Sequence, residues 1–258
     1  MSDDGWKVEQ HGGVRWLCID RPARKNAMTS AMGARLDELL ADAEADEGTR
    51  VLVIAGEGQA FSAGLDRDEV AAGLGNTSLF PVEAFYEFTK PTIACVNGLA
   101  YGGGATLAVA CDLRVMAESA SFTFGLAKLG LTPEWGSSYF LWREIGWSRT
   151  LDLFLTCRTV DATEAFRLGL ADRVVPDVDV RAATQQLAAQ IAALPEGTAA
   201  VTKSVLRRGL DVAFAEAREV ERAGLADRVR AIRSRAKTRA AAPSADNRPT
   251  PRPGAPGE

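Results

Sequence analysis

The sequence predicts an α/β fold, and three observations carry that expectation. Arg50–Ala55 (RVLVIA), Thr92–Val96 and Leu113–Ala117 are short, unbroken apolar runs of the kind found in strands buried on both faces. Helical spacing alternates with these runs in the first part of the chain and dominates after Pro133. No repeat at a fixed period competes with this pattern.

The elements follow in order. Val8 to Asp20 holds two apolar stretches around His11-Gly12-Gly13, which reads as a β-hairpin, and Arg21-Pro22 ends it. Thr29 or Ser30 can cap a helix running to about Asp46, with Met32, Leu36, Leu39 and Leu40 on one face. Thr92–Val96 is followed at once by Asn97-Gly98, and a small-residue helix is expected over Gly104 to Ala110. Beyond Pro133, helices are expected over 137–145, 148–155 and 162–168. A strand at 173–175 precedes helices over 179–193 and 198–210. Ala217 to Arg239 reads as an Arg-rich amphipathic helix with Leu225, Val229 and Ile232 as its apolar stripe. Residues 240–258, rich in Pro, Ala and Gly, read as a disordered tail.

Composition narrows the function classes. At 258 residues, 47% hydrophobic and 25% charged, the chain can bury a core without staples. A net charge of -4 lacks the Lys and Arg excess that phosphate binding draws on, so no nucleic-acid partner is expected. No apolar run reaches the ~20 residues of a membrane span. The polar N-terminus has no secretory h-region, so a cytoplasmic location is expected. Cys18, Cys95, Cys111 and Cys157 are widely spaced and read as reduced core residues. A sole histidine, His11, disfavours His-rich zinc sites and His-dependent triads, so no metal is expected.

Three loops carry candidate chemistry. Gly56 to Asp66 is rich in small residues, which either form a tight βα connection or let the backbone approach a ligand closely; Asp66 can cap a following helix. Asn97 to Leu107 places Gly102-Gly103-Gly104 where a helix opens, and free N–H groups there favour negative charge unless the glycines serve only close packing. Leu129 to Ser138 sets Glu134 between Pro133 and Trp135. Apolar surroundings would raise its pKa and suit it to proton transfer, while the plain alternative is a first-turn acid facing a helix dipole.

Together and in this order, the motifs resemble those of the crotonase, or enoyl-CoA hydratase/isomerase, family. Arg21-Pro22-Ala23-Arg24-Lys25-Asn26-Ala27 matches its R-P-x-x-x-N-A, Phe61 to Asp66 its F-x-A-G-x-D, and Val96 to Gly104 with Cys111-Asp112 its V-N-G-x-A-x-G-G-G…C-D. The resemblance covers about residues 6 to 210. It implies a ββα spiral core over 1–195, a helical trimerisation region over 196–239 ahead of the tail, and a homotrimer or dimer of trimers. It implies an acyl-CoA thioester substrate, with coenzyme A as part of the substrate and no tightly bound cofactor, in fatty acid metabolism. It also implies that the N–H groups of Leu65 and Gly103 form the oxyanion hole. Ala63, Gly64, Asp66 and Gly102 fall in segments that resemble the family's CoA-contacting loops, and Arg24 is a candidate for the CoA phosphates. Two such donors stabilise a thioester enolate more than the ground state, each by ~3 kcal/mol.

Departures from the family pattern bear on the reaction. Thr106 and Leu126 stand where hydratases carry two glutamates. Pro133-Glu134-x-Gly136-Ser137-Ser138 is similar to the corresponding segment of Δ3,Δ2-enoyl-CoA isomerases, whose 1,3 proton shift needs one base. An isomerase with Glu134 as acid/base is therefore expected. The alternatives are a hydratase or lyase using Glu134 alone, and a degenerate oligomeric scaffold that only binds acyl-CoA. A dehalogenase, which pairs Asp with a His base, is disfavoured by the position of His11.

Overall fold

In the computed structural model the described residues are 4–71 and 81–210, with isolated positions 212, 216, 223, 230 and 234. The chain divides into two compact units, Met1–Lys203 and Ser204–Glu258. Most of the expected Arg-rich helix, and the tail, lie outside the described residues, as do residues 72–80.

The first unit is built on two sheets. A six-stranded sheet runs in the order β1-β2-β3-β5-β7-β10, using Trp6–His11, Val14–Ile19, Val51–Gly56, Thr92–Val96, Leu113–Ala117 and Arg173–Val175. β1 and β2 form the expected antiparallel hairpin, and the remaining pairings are parallel. β3 and β5 are buried along their whole length, as their unbroken apolar runs foretell.

A second, four-stranded sheet joins β4 (Ala60–Ser62), β6 (Leu99–Tyr101), β8 (Ser121–Thr123) and β9 (Thr159–Asp161) in that order. Each long strand β3, β5 and β7 turns a corner into a short one, β4, β6 and β8. The Asn97 amide fastens one corner to the next: its Nδ2 donates to the carbonyls of Gly56 and Gly58, and its Oδ1 accepts from Gly56 N–H. Gly98 allows the tight approach, since a Cβ there would stand 2.0 Å from Gln59 O.

Nine α-helices make up much of the rest of the described residues. α1 (Ser30–Ala45) is capped by the Thr29 side chain and buries Met32, Leu36, Leu39 and Leu40. Two short helices follow, α2 (Arg67–Ala71) and α3 (Val82–Glu87). α4 (Gly103–Ala110) consists of small and aliphatic residues, and all eight are buried. α5 (Ser137–Ile145), α6 (Trp147–Thr156), α7 (Ala162–Leu168), α8 (Val180–Ala192) and α9 (Thr198–Gly209) fall within two residues of the expected bounds. α8 packs against β3, β5 and β7.

Candidate active site

The second sheet brings the first two candidate loops together. β4 and β6 run parallel, pairing Ala60 with Leu99 and Ser62 with Ala100, so the segments leaving them emerge side by side. They meet at Gly64. Its φ of +83° is open to glycine, and a Cβ there would lie 2.6 Å from Tyr101 O and 3.0 Å from Gly103 N.

Leu65 is held by a parallel bridge to Met28. Met28 N–H donates to Gly64 O, and Asp66 N–H donates to Met28 O. The flanking residues thus use the side facing Met28, and the N–H of Leu65 points the other way. Gly103 is the first residue of α4. The first intrahelical bond runs from Thr106 N–H to Gly102 O, so the Gly103 amide precedes the helix's own bonding pattern. Among the described residues no hydrogen bond is recorded for either the Leu65 or the Gly103 N–H. Gly102 orients the entry with φ +52° and donates its own N–H to Thr123 O of β8.

The third loop closes on the second. The Trp135 ring lies against Gly103, where a Cβ would meet ring carbons at 2.3 to 2.8 Å. Glu134, immediately before Trp135, is only 9% exposed, and its Oε1 is buried without a hydrogen-bond partner. Burial raises its pKa above the ordinary carboxylate value. Thr106 and Leu126 are buried too; the Thr106 hydroxyl donates to Gly102 O, and Leu126 reaches towards Gly102.

The remaining predicted residues have other partners. Ala63 N–H bonds Lys25 O, and Gly64 N–H bonds the Ser62 hydroxyl. Asp66 caps α2 through Asp68 N–H and pairs with Arg21 at 2.9 Å. Burial works to raise the Asp66 pKa, but Arg21 and the Asp68 amide outweigh it and hold the carboxyl low. Its carboxylate therefore has a structural task rather than an open face. Arg24 is exposed and pairs with Asp68. Asn26 is fully buried and spans the same region, donating to the carbonyls of Glu57 and Ala60 and accepting from Arg21 N–H.

Two features lie apart from these loops. A cleft of about 670 Å³ lies where β3 and β5 end, lined by Gly56, Glu57, Asn97, Ser119, Asp177 and Arg181 among others, and by none of the predicted site residues. Glu9, Cys18 and Glu57 bring their ligand atoms within 4.8 Å of one another, but Arg181 already supplies a cation there, 2.6 Å from Glu9 and 3.8 Å from Cys18 Sγ. His11 stands at the end of β1, half exposed, against Glu9.

The model of the family described as enoyl-CoA hydratase/isomerase matches residues 9–238. The chain belongs to the enoyl-CoA hydratase/isomerase family. A 4-chlorobenzoyl coenzyme A dehalogenase from Arthrobacter sp is 33% identical over 81% of this chain and 79% of its own length. A probable enoyl-CoA hydratase from Rhodobacter capsulatus is 35% identical over 81% of this chain and 84% of its own. A Thermobifida fusca YX protein solved in complex with acetoacetyl-CoA is 33% identical, with TM-score 0.81, covering 88% of this chain and 95% of that one. These matches bear out the expected family and fold. They do not single out the isomerases within it.

Trp135 is the residue whose part the sequence understated, since it reads there only as an apolar neighbour of Glu134. The available signal was a bulky ring directly before a glycine.

Proposed function

We propose that the chain acts on acyl-CoA thioesters, with the Leu65 and Gly103 N–H groups holding a thioester enolate and Glu134 moving the proton. The observation that carries this reading is the buried, partnerless Glu134 Oε1 on the loop whose next residue rests on Gly103. A carboxyl kept from water and not engaged by protein is free to exchange a proton with a bound substrate. The acetoacetyl-CoA found in the Thermobifida fusca neighbour supports the ligand class.

With one carboxylate, the reaction best suited to the residues is a Δ3,Δ2-enoyl-CoA isomerisation. Glu134 removes a proton from C2 of a 3-enoyl-CoA. The C2–H electron pair becomes the C1–C2 double bond and the carbonyl π pair moves onto the thioester oxygen. This gives a dienolate conjugated with the C3–C4 double bond, whose oxygen accepts from Leu65 and Gly103. Glu134 then returns the proton to C4, leaving the double bond between C2 and C3. Thr106 and Leu126 take no part in proton transfer, which accords with a one-base reaction.

The names of the relatives favour a second reading, and back it better than the first: hydratase or lyase chemistry with the same groups. Glu134 would take a proton from water as it adds to C3 of a 2-enoyl-CoA, and then protonate C2.

Turnover of 3-hexenoyl-CoA and crotonyl-CoA separates the two. Conversion of the first to the 2-enoyl ester supports the isomerase, and 3-hydroxybutyryl-CoA formed from the second supports the hydratase. Glu134→Gln should lower either rate by about a hundredfold or more while CoA-ester binding persists. Wild-type activity in that variant would remove Glu134 from the mechanism. Because burial raises its pKa, the acid limb of the kcat/KM profile should fall above the ordinary carboxylate range, activity being lost as pH drops and Glu134 gains a proton.

A further inference from the structure

Glu134 and Ser137 close a tight turn, with Ser137 N–H donating to Glu134 O at 3.0 Å. Its central residues, Trp135 and Gly136, have φ of +54° and +77°. Turns with both central residues at positive φ favour Asn, Asp or Gly at the first of them, because a side chain there meets its own backbone. A tryptophan is among the residues least suited to that place. Something beyond local preference holds it there, and the structure shows what: its ring is buried and lies against the Cα of Gly103.

This contact links the two halves of the proposed machinery. Gly103 supplies one proposed oxyanion donor. The residue before Trp135 supplies the proposed base. Were the ring to leave Gly103, the turn could relax, the Glu134 carboxyl would lose its registration with the oxyanion loop, and water would reach it.

We propose that Trp135 is a positioning residue, a strained clamp whose ring on Gly103 fixes Glu134 relative to the oxyanion donors. The inference rests on the reading of Glu134 as acid/base. It does not depend on which reaction follows, because isomerase and hydratase need the same registration.

The test uses a step common to both. In D2O, a base beside an oxyanion hole exchanges the C2 protons of butyryl-CoA: the base removes a proton and the enolate forms, the protonated carboxyl trades that proton for a deuteron from solvent, and the deuteron is delivered to C2. Mass spectrometry reads the exchange. Trp135→Asn suits the turn but removes the ring, while Trp135→Phe keeps a ring and remains unsuited to the turn. Trp135→Leu keeps apolar bulk without a large planar ring, and serves if the Asn variant does not fold.

The expectation is that the Asn and Leu variants lose about a hundredfold in exchange rate at saturating butyryl-CoA, the cost of a displacement of about 1 Å. Half-saturation should stay within a few-fold. The acid limb of the pH profile should move down towards the ordinary carboxylate range as water reaches Glu134. The Phe variant should stay within about tenfold of wild type, with its acid limb unmoved. The proposal is overturned if the Asn or Leu variant exchanges within about threefold of wild type, or if all three variants lose rate and thermal stability together without a shift in the acid limb. Glu134→Gln, run in parallel, keeps the two ideas apart. If it abolishes exchange while the Trp135 variants behave as wild type, the clamp fails and the base stands. If it exchanges as fast as wild type, the base reading fails and the clamp with it.

Discussion

Gly103 has no room for a methyl group, because the space a Cβ would occupy holds the Trp135 ring at 2.3 Å. Gly103→Ala should therefore do two things at once. Overpacking should cost about 1–3 kcal/mol of stability, read as a lowered thermal midpoint, and the displaced ring should lower turnover. A Gly103→Ala protein with unchanged midpoint and rate would mean that the ring yields freely. At this scale the sequence was informative where a motif was involved. Leu65, Gly103 and Glu134 all stand out by pattern, and the structure brings their loops together. Trp135 did not stand out, because a positive φ in a bulky residue contradicts every local preference that sequence reading uses. Asn26, which enters the sequence reading only as part of a family motif, uses its amide to tie the Arg21 turn to the loop carrying Glu57 and Ala60.

Among the elements, the long strands, the long helices and the three-residue β10 were legible, while α3 and the short strands of the second sheet were not. β4, β6, β8 and β9 have three residues each, too few for an alternating pattern to register. They are nonetheless what sets Gly64 beside Gly103. The apolar-run rule found β7 but gave no hint of the ionic network at its start. Arg114, buried in β7, donates to the carbonyls of Leu170 and Cys111 and pairs with Glu144 of α5 at 2.7 Å. Burial, opposed by Arg114, pushes the Glu144 carboxyl from 4.5 to about 7. A carboxyl that holds its proton more tightly when folded stabilises the fold most at low pH, and loses that contribution as pH rises from the unfolded value through the folded one. The thermal midpoint should accordingly decline across that window, and Glu144→Gln should flatten the decline. An unchanged profile in the variant would show that Glu144 is already ionised in the folded protein.

For the whole molecule, the α/β expectation and the family motifs anticipated the two-sheet spiral, since the corners after β3 and β5 carry recognisable small-residue loops. Assembly is the less legible level. The family resemblance implies a homotrimer or dimer of trimers, and α6 exposes Trp147, Leu151 and Leu155, spaced four apart along one helical face. Light scattering on the purified chain should give three or six times the monomer mass; a monomer at micromolar concentration would remove that expectation. All eight residues of α4 are buried, so no part of it can open to solvent while its surroundings stay folded. Its hydrogen-bonded amides, from Thr106 onward, should be among the slowest to exchange with deuterated water, at a free energy close to that of global unfolding. Gly103 heads this helix, so the constancy of its position is a property of the entire fold. Mutations far from the loops that weaken the fold should be felt there last, after the surface helices have begun to fray.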